Sequence, residues 1–145
     1  MSLGLISCTK SKANVKCKAS EMYMPSQLFR AAFAYTKDKY DIVAILSAKY
    51  GLLLPTDEIE PYNTTLKTLN IQQRKKWAEK VMNQIKERID LSNIKECFIH
   101  AGKEYRQYLI PLLEGSGIKC RIPLQGLPIG KQIQWYKLRT KNDPQ

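Results

Sequence analysis

The sequence predicts a three-layer α/β/α domain around a mostly parallel, four-stranded sheet. Two observations lead there. Four short apolar runs lack the alternation of half-exposed strands, as expected where helices cover both faces of a sheet. Helical patterns separate those runs in the order β-α-β-loop-α-β-α-β-α, which right-handed crossovers convert into parallel pairing. With 145 residues the chain reads as one domain spanning 1–145, able to bury roughly two-thirds of its unfolded surface.

The first strand is Leu3 to Ser7. A helix follows over Ser26 to Lys37, with Leu28, Phe29, Ala32 and Phe33 on one face and Ser26 as N-cap after Pro25. Ile42 to Ser47 is the second strand. From Tyr50 to Leu69 neither helical nor strand periodicity is present. Connections of that length are functional or disordered, and the apolar Leu52 to Leu54 and Ile59 argue against disorder. Asn70, with Gln73 three residues on, forms a capping box and opens the clearest helix. Its apolar stripe is Ala78, Val81, Met82, Ile85 and Ile89, while Lys, Arg and Glu face solvent. Glu96 to His100 is the third strand, and Lys103 to Glu114 a helix stopped by Gly115 and Gly117. Ile118 to Pro123 is the fourth strand, and Ile129 to Lys141 the last helix, with Gly130 at its start. The tail after Thr140 is expected to fray.

Charge narrows the partners. Twenty-four Lys and Arg against 13 Asp and Glu leave a net +11, which favours nucleic acid or nucleotides through phosphate neutralisation. The alternative is a basic surface that only aids solubility. No segment approaches the ~18 apolar residues of a membrane span, so no membrane partner is expected. The short apolar start breaks into Cys8-Thr-Lys-Ser-Lys12 with no small-residue cleavage site, so no leader is expected and a cytoplasmic location is. Cys8, Cys17, Cys97 and Cys120 fit no zinc spacing and read as reduced thiols, Cys97 and Cys120 as core. Neither a metal nor a cofactor is expected.

Four segments are expected to converge at the carboxyl edge of the sheet, where open α/β sheets bind ligands. The first is Ser7 to Lys12: Thr9, Lys10 and Lys12 suit phosphate or carboxylate, though the glycines of a P-loop are missing. The second runs from Ser47 through Lys49, Tyr50 and Gly51 to Tyr62. It holds the close carboxylate cluster Asp57, Glu58 and Glu60. Asp57 and Glu60 are candidate catalytic acids or water-positioning groups. Asp57 can equally cap a turn, and Glu58 simply face water. Lys49 could hold a phosphate, and Tyr50 and Tyr62 could stack on a base or pack in the core. The third is His100 to Tyr105. His100 is a candidate catalytic group or a structural histidine, and Gly102 would let a ligand approach backbone N–H groups. The fourth is Gly126 to Gln132, where Gly126, Gly130 and Gln132 would accommodate an anion or base edge.

The run Ser47-Ala-Lys-Tyr-Gly-Leu-Leu with Pro55, Asp57, Ile59, Pro61 and Tyr62 resembles the signature of the YaaA-like proteins, and Leu5-Ile-Ser-Cys-Thr-Lys10 resembles their opening strand. A narrower group of small bacterial and phage domains shares Cys8-x-Lys-x-Lys12, a Tyr23-x-x-Ser26-x-Leu-Phe29 stretch and the Gly126 to Trp135 ending. The resemblance implies an α/β core, nucleic-acid contact and a link to peroxide stress. It marks Lys10, Ser47, Tyr50, Gly51, Asp57, Pro61 and Tyr62 as matching positions without assigning them a reaction. No helix-hairpin-helix insertion is present. Three functions are consistent with the residues. One is a metal-independent hydrolase or base-releasing enzyme acting on nucleotides or nucleic acid. The others are a noncatalytic nucleic-acid-binding module and a small protein-interaction domain.

Overall fold

The computed structural model describes residues 1–140. In chain order these form β1 (Ser2–Ser7), β2 (Cys17–Lys18), α1 (Ala19–Met22), α2 (Gln27–Lys39), β3 (Ile42–Ser47), β4 (Gly51–Leu53) and β5 (Glu58–Ile59). Then come α3 (Ile71–Arg88), β6 (Glu96–His100), α4 (Lys103–Arg106), α5 (Leu109–Gly115), β7 (Lys119–Arg121) and α6 (Ile129–Arg139). The expected frayed tail, and Lys141 with it, lies outside the described residues.

The fold is the expected mixed α/β arrangement around a mostly parallel sheet, with five strands rather than four, in the order β4-β3-β1-β6-β7. β3, β1, β6 and β7 run parallel, and β4 turns back antiparallel on β3. β2 and β5 make a separate antiparallel pair. The central strand shows why the apolar runs do not alternate: Leu3, Leu5 and Ile6 are all buried, because α2 and α6 pack together over the sheet and α3 packs with α5. Among the described residues no helix is long and apolar enough to cross a membrane.

Local signals placed two helices well. The Ser26 hydroxyl accepts the Phe29 N–H at 3.2 Å. Asn70 and Gln73 exchange side-chain and backbone bonds of 2.9 and 3.0 Å, the reciprocal capping box that opens α3. Ala78, Val81, Met82 and Ile85 are its buried stripe.

Two elements differ from expectation. The connection from Tyr50 to Leu69 contains β4, β5 and a 3₁₀ turn at Leu66–Thr68. Strands of three and two residues are too short to register a period, so only their pairing reveals them. The helix expected over Lys103 to Glu114 is broken into α4 and α5. Pro111 explains the break: in one continuous helix its ring would meet the carbonyl of residue 107, four positions earlier.

Candidate functional site

β1 and β6 deliver their carboxyl ends side by side. The Cys8 N–H donates to the Leu46 carbonyl at 2.8 Å, carrying the β1–β3 pairing just past the strand and fixing where the loop to Lys12 begins. β6 ends at His100, and Gly102 caps α4. Between these ends lies a cavity of about 1120 Å³. Its walls come from the Thr9–Lys12 loop, the start of α2, the His100–Arg106 segment, residues 63–68 and the stretch leading into α6. Four cations border it (Lys10, Lys12, Lys67 and Arg106) against a single carboxylate, Glu104. Leu28, Phe29, Ile99 and Ile133 give it an apolar lining.

Lys12 is held from two sides. Its Nζ donates to the Lys10 carbonyl at 3.3 Å and stands 4.5 Å from the centre of the Tyr62 ring. Partial burial holds its pKa below the ordinary lysine value. Thr9 turns its hydroxyl to the Ser11 carbonyl at 3.3 Å, and the Gln132 amide donates to the Leu127 carbonyl at 2.8 Å. Both side chains therefore stiffen the wall that they line.

His100 also lines the cavity, with both ring nitrogens engaged. Nε2 lies 2.7 Å from the Tyr40 hydroxyl and Nδ1 2.7 Å from the Tyr136 hydroxyl. A neutral imidazole offers one donor and one acceptor, so one tyrosine donates to the ring and the other accepts from it. Burial lowers the His100 pKa to about 4. Both nitrogens of the expected catalytic histidine thus face tyrosine hydroxyls.

The second expected segment lies outside the cavity. Asp57 is bound by both Arg88 guanidinium nitrogens at 2.5 and 2.9 Å and accepts the Leu54 N–H at 2.8 Å. Arg88 and that backbone bond hold its pKa below the ordinary carboxylate value. These bonds clamp the turn at Asp57. Glu60 is exposed and away from the cavity, and its backbone N–H donates to the Tyr50 hydroxyl at 3.2 Å. Asp57→Asn should lower stability by about 1 kcal/mol, since the pair is partly solvated, and leave ligand affinity unchanged. Urea unfolding beside a binding titration checks both halves; weaker binding at unchanged stability would return Asp57 to the site.

Ser47 and Tyr62 are tied into a buried hydrogen-bond network, and Gly51 lies at the β3–β4 turn. Ser47 donates to the Tyr62 hydroxyl at 2.8 Å and accepts the Tyr50 N–H at 3.0 Å, while Tyr62 shares a 2.5 Å bond with Tyr23. Burial raises the pKa of both tyrosines, so they remain neutral phenols. The Trp77 indole donates to the Ser47 carbonyl at 3.0 Å and holds the end of β3 in place. Gly51 has φ +80, and a Cβ there would run into Gln84, whose amide bridges Leu52 N–H and the Tyr50 carbonyl. The β3–β4 turn therefore needs a glycine there.

The structure thus brings together Thr9, Lys10, Lys12, His100, Gly102, Gly126 and Gln132. It leaves Asp57, Glu60, Ser47, Lys49, Tyr50, Gly51, Tyr62 and Gly130 off the cavity wall. Sequence reasoning missed Asn63, Thr64, Thr65, Lys67 and Thr68, a polar run inside the long connection, and the partners Tyr40 and Tyr136 of His100. The polar composition of residues 63–68 was the available signal for that wall. Among the described residues no group of three or more His, Cys, Asp or Glu side chains is arranged to hold a metal ion.

A family model described as "Family of unknown function (DUF6884)" matches residues 3–138. No curated protein and no solved structure matches. The family match corrects the likeness to the YaaA-like proteins: the family found along almost the whole chain is a different one. Lys10, Ser47, Tyr50, Gly51, Asp57, Pro61 and Tyr62 therefore take no role from that likeness.

Proposed function

The chain belongs to this family of unknown function, and from that premise we propose that it binds the phosphate-bearing part of a nucleotide or nucleic acid in the cavity at the carboxyl edge of its sheet. One observation carries the reading: four cations meet a single carboxylate around a cavity of about 1120 Å³. That volume suits a ligand of nucleotide size. The four cations would take phosphate, and the apolar lining would take a sugar face or base. Net charge of +11 supports the same sign of ligand and adds long-range attraction. A cytoplasmic setting belongs with this reading, because nucleotides are plentiful there and all four cysteines are free thiols.

Binding without turnover is favoured by a specific observation: His100 is committed to two tyrosines, while Asp57 and Glu60 stand outside the cavity. A hydrolytic or base-releasing step assisted by a carboxylate on the cavity wall would use Glu104. The test is a panel of nucleotides and oligonucleotides at ~50 and ~200 mM salt, scored for binding and for released base or phosphate. Lys12→Ala should weaken binding by about tenfold, the size of a lost charge-assisted contact. Product that vanishes in Glu104→Gln would make the protein a hydrolase. Absence of polyanion binding at low salt would sink the reading and leave a protein-interaction domain.

A further inference from the structure

Lys12 does not end the basic surface at the cavity; it begins a second feature. Its ammonium lies 4.5 Å from the Tyr62 ring centre, and Tyr62 meets Tyr50 edge-to-face at 5.6 Å. Lys49 Nζ stands 5.3 Å from the Tyr50 ring centre, and Lys80 Nζ reaches the Lys49 carbonyl at 3.3 Å. Lys12, Tyr62, Tyr50, Lys49 and Lys80 therefore follow one another in contact from the cavity wall, past the ends of β1 and β3, to the flank of α3. Lys49 and Lys80 are exposed and Tyr50 is half-exposed, so the outer part of the line is open to solvent. Two carboxylates lie near it: Glu60, whose backbone touches Tyr50, and Glu79, next to Lys80 on α3.

We propose that the ligand is the end of a single-stranded nucleic acid, with its terminal nucleotide in the cavity and its backbone leaving along Lys12, Lys49 and Lys80. The proposal rests on the cavity reading above and names its substrate class. Three cations with the half-exposed Tyr50 ring among them suit a single strand, because its phosphates repeat along one side and an unpaired base offers a face to stack. When Lys49 turns toward a phosphate it vacates the Tyr50 ring, which a base can then occupy. A duplex fits less well, since its bases are paired and stacked on one another and offer no free face to Tyr50.

Fluorescence anisotropy tests this with a ten-residue oligodeoxythymidine labelled at the 5′ or 3′ end, using thymidine monophosphate and a short duplex as competitors. The single strand should bind at least about tenfold more tightly than the monophosphate, and the duplex should compete poorly. Lys49→Ala with Lys80→Ala should abolish that advantage and reduce the salt slope by about 1.4, the value for two lost phosphate contacts on a single strand. Glu60→Gln should tighten oligonucleotide binding. Both lysines are exposed, so the double variant should keep its circular dichroism spectrum.

A single strand that binds no better than the monophosphate would overturn the proposal. So would a duplex that competes equally, or a double variant that retains full affinity. In each case monophosphate binding that depends on Lys12 would leave the cavity reading standing. Oligonucleotide binding that ignores Lys12→Ala, with no monophosphate binding, would overturn both.

Discussion

Gly4→Ala is expected to destabilise the protein by about 2 kcal/mol, although it adds one methyl group to a central strand. Gly4 lies opposite Phe98 in the β1–β6 register, and the Tyr40 ring stacks on Phe98 at 4.8 Å between centres. A Cβ at residue 4 would collide with that ring. Tyr40 cannot swing aside, because its hydroxyl is bound to His100 and the ring is buried. The small entropic gain of replacing glycine in the unfolded chain, under ~1 kcal/mol, does not offset such overpacking. The loss should appear as a melting temperature lower by about 4–8 °C. Removing the ring as well, in Gly4→Ala with Tyr40→Ala, should cost less than the two single changes together, since the collision disappears. A Gly4→Ala protein as stable as the parent would show that Tyr40 does not lie over the strand.

The second large effect is with pH. His100 has a folded pKa of about 4 through burial, against 6.5 for a free imidazole. Between those values the unfolded chain binds the extra proton and the folded chain does not. The neutral, buried His100 therefore contributes its full stability above pH 6.5, and loses it as pH falls toward 4. The loss over that window is about 3 kcal/mol. Urea midpoints at pH 7 and pH 4.5 measure it. His100→Gln keeps a donor and an acceptor near the two tyrosines but cannot titrate, so its stability should change much less across the window. Asp57 adds little over this range, because its ordinary value of 3.8 and its lower folded value both lie below pH 4.5. Equal pH slopes in parent and variant would assign the titration to another group.

Both expectations concern contacts that no stretch of sequence announces. Tyr40, His100 and Tyr136 are joined across 60 and 36 residues, and Gly4 reads simply as part of an apolar strand until the Tyr40 ring is placed over it. The same holds for Asp57. In sequence it sits in a carboxylate cluster next to a strand end, which resembles chemistry; in the structure Arg88, 31 residues on, takes both its oxygens. The lysine-rich loop after β1 needed no distant partner to be recognised, because its hydroxyls and ammonium groups come from consecutive residues. The wall contributed by residues 63–68 was hidden in a connection whose short strands and 3₁₀ turn carry no period.

By itself the sequence determined the parallel core, the caps of α2 and α3, the basic charge and the loop that supplies Lys10 and Lys12. Each of these follows from burial on both faces of a strand, from bonds within one helical turn, or from composition. Only the tertiary structure decided which polar groups are free to meet a ligand. What a carboxylate or imidazole can do depends on the partners folding gives it, and those partners lie dozens of residues away until the sheet and its helices bring them within hydrogen-bond reach.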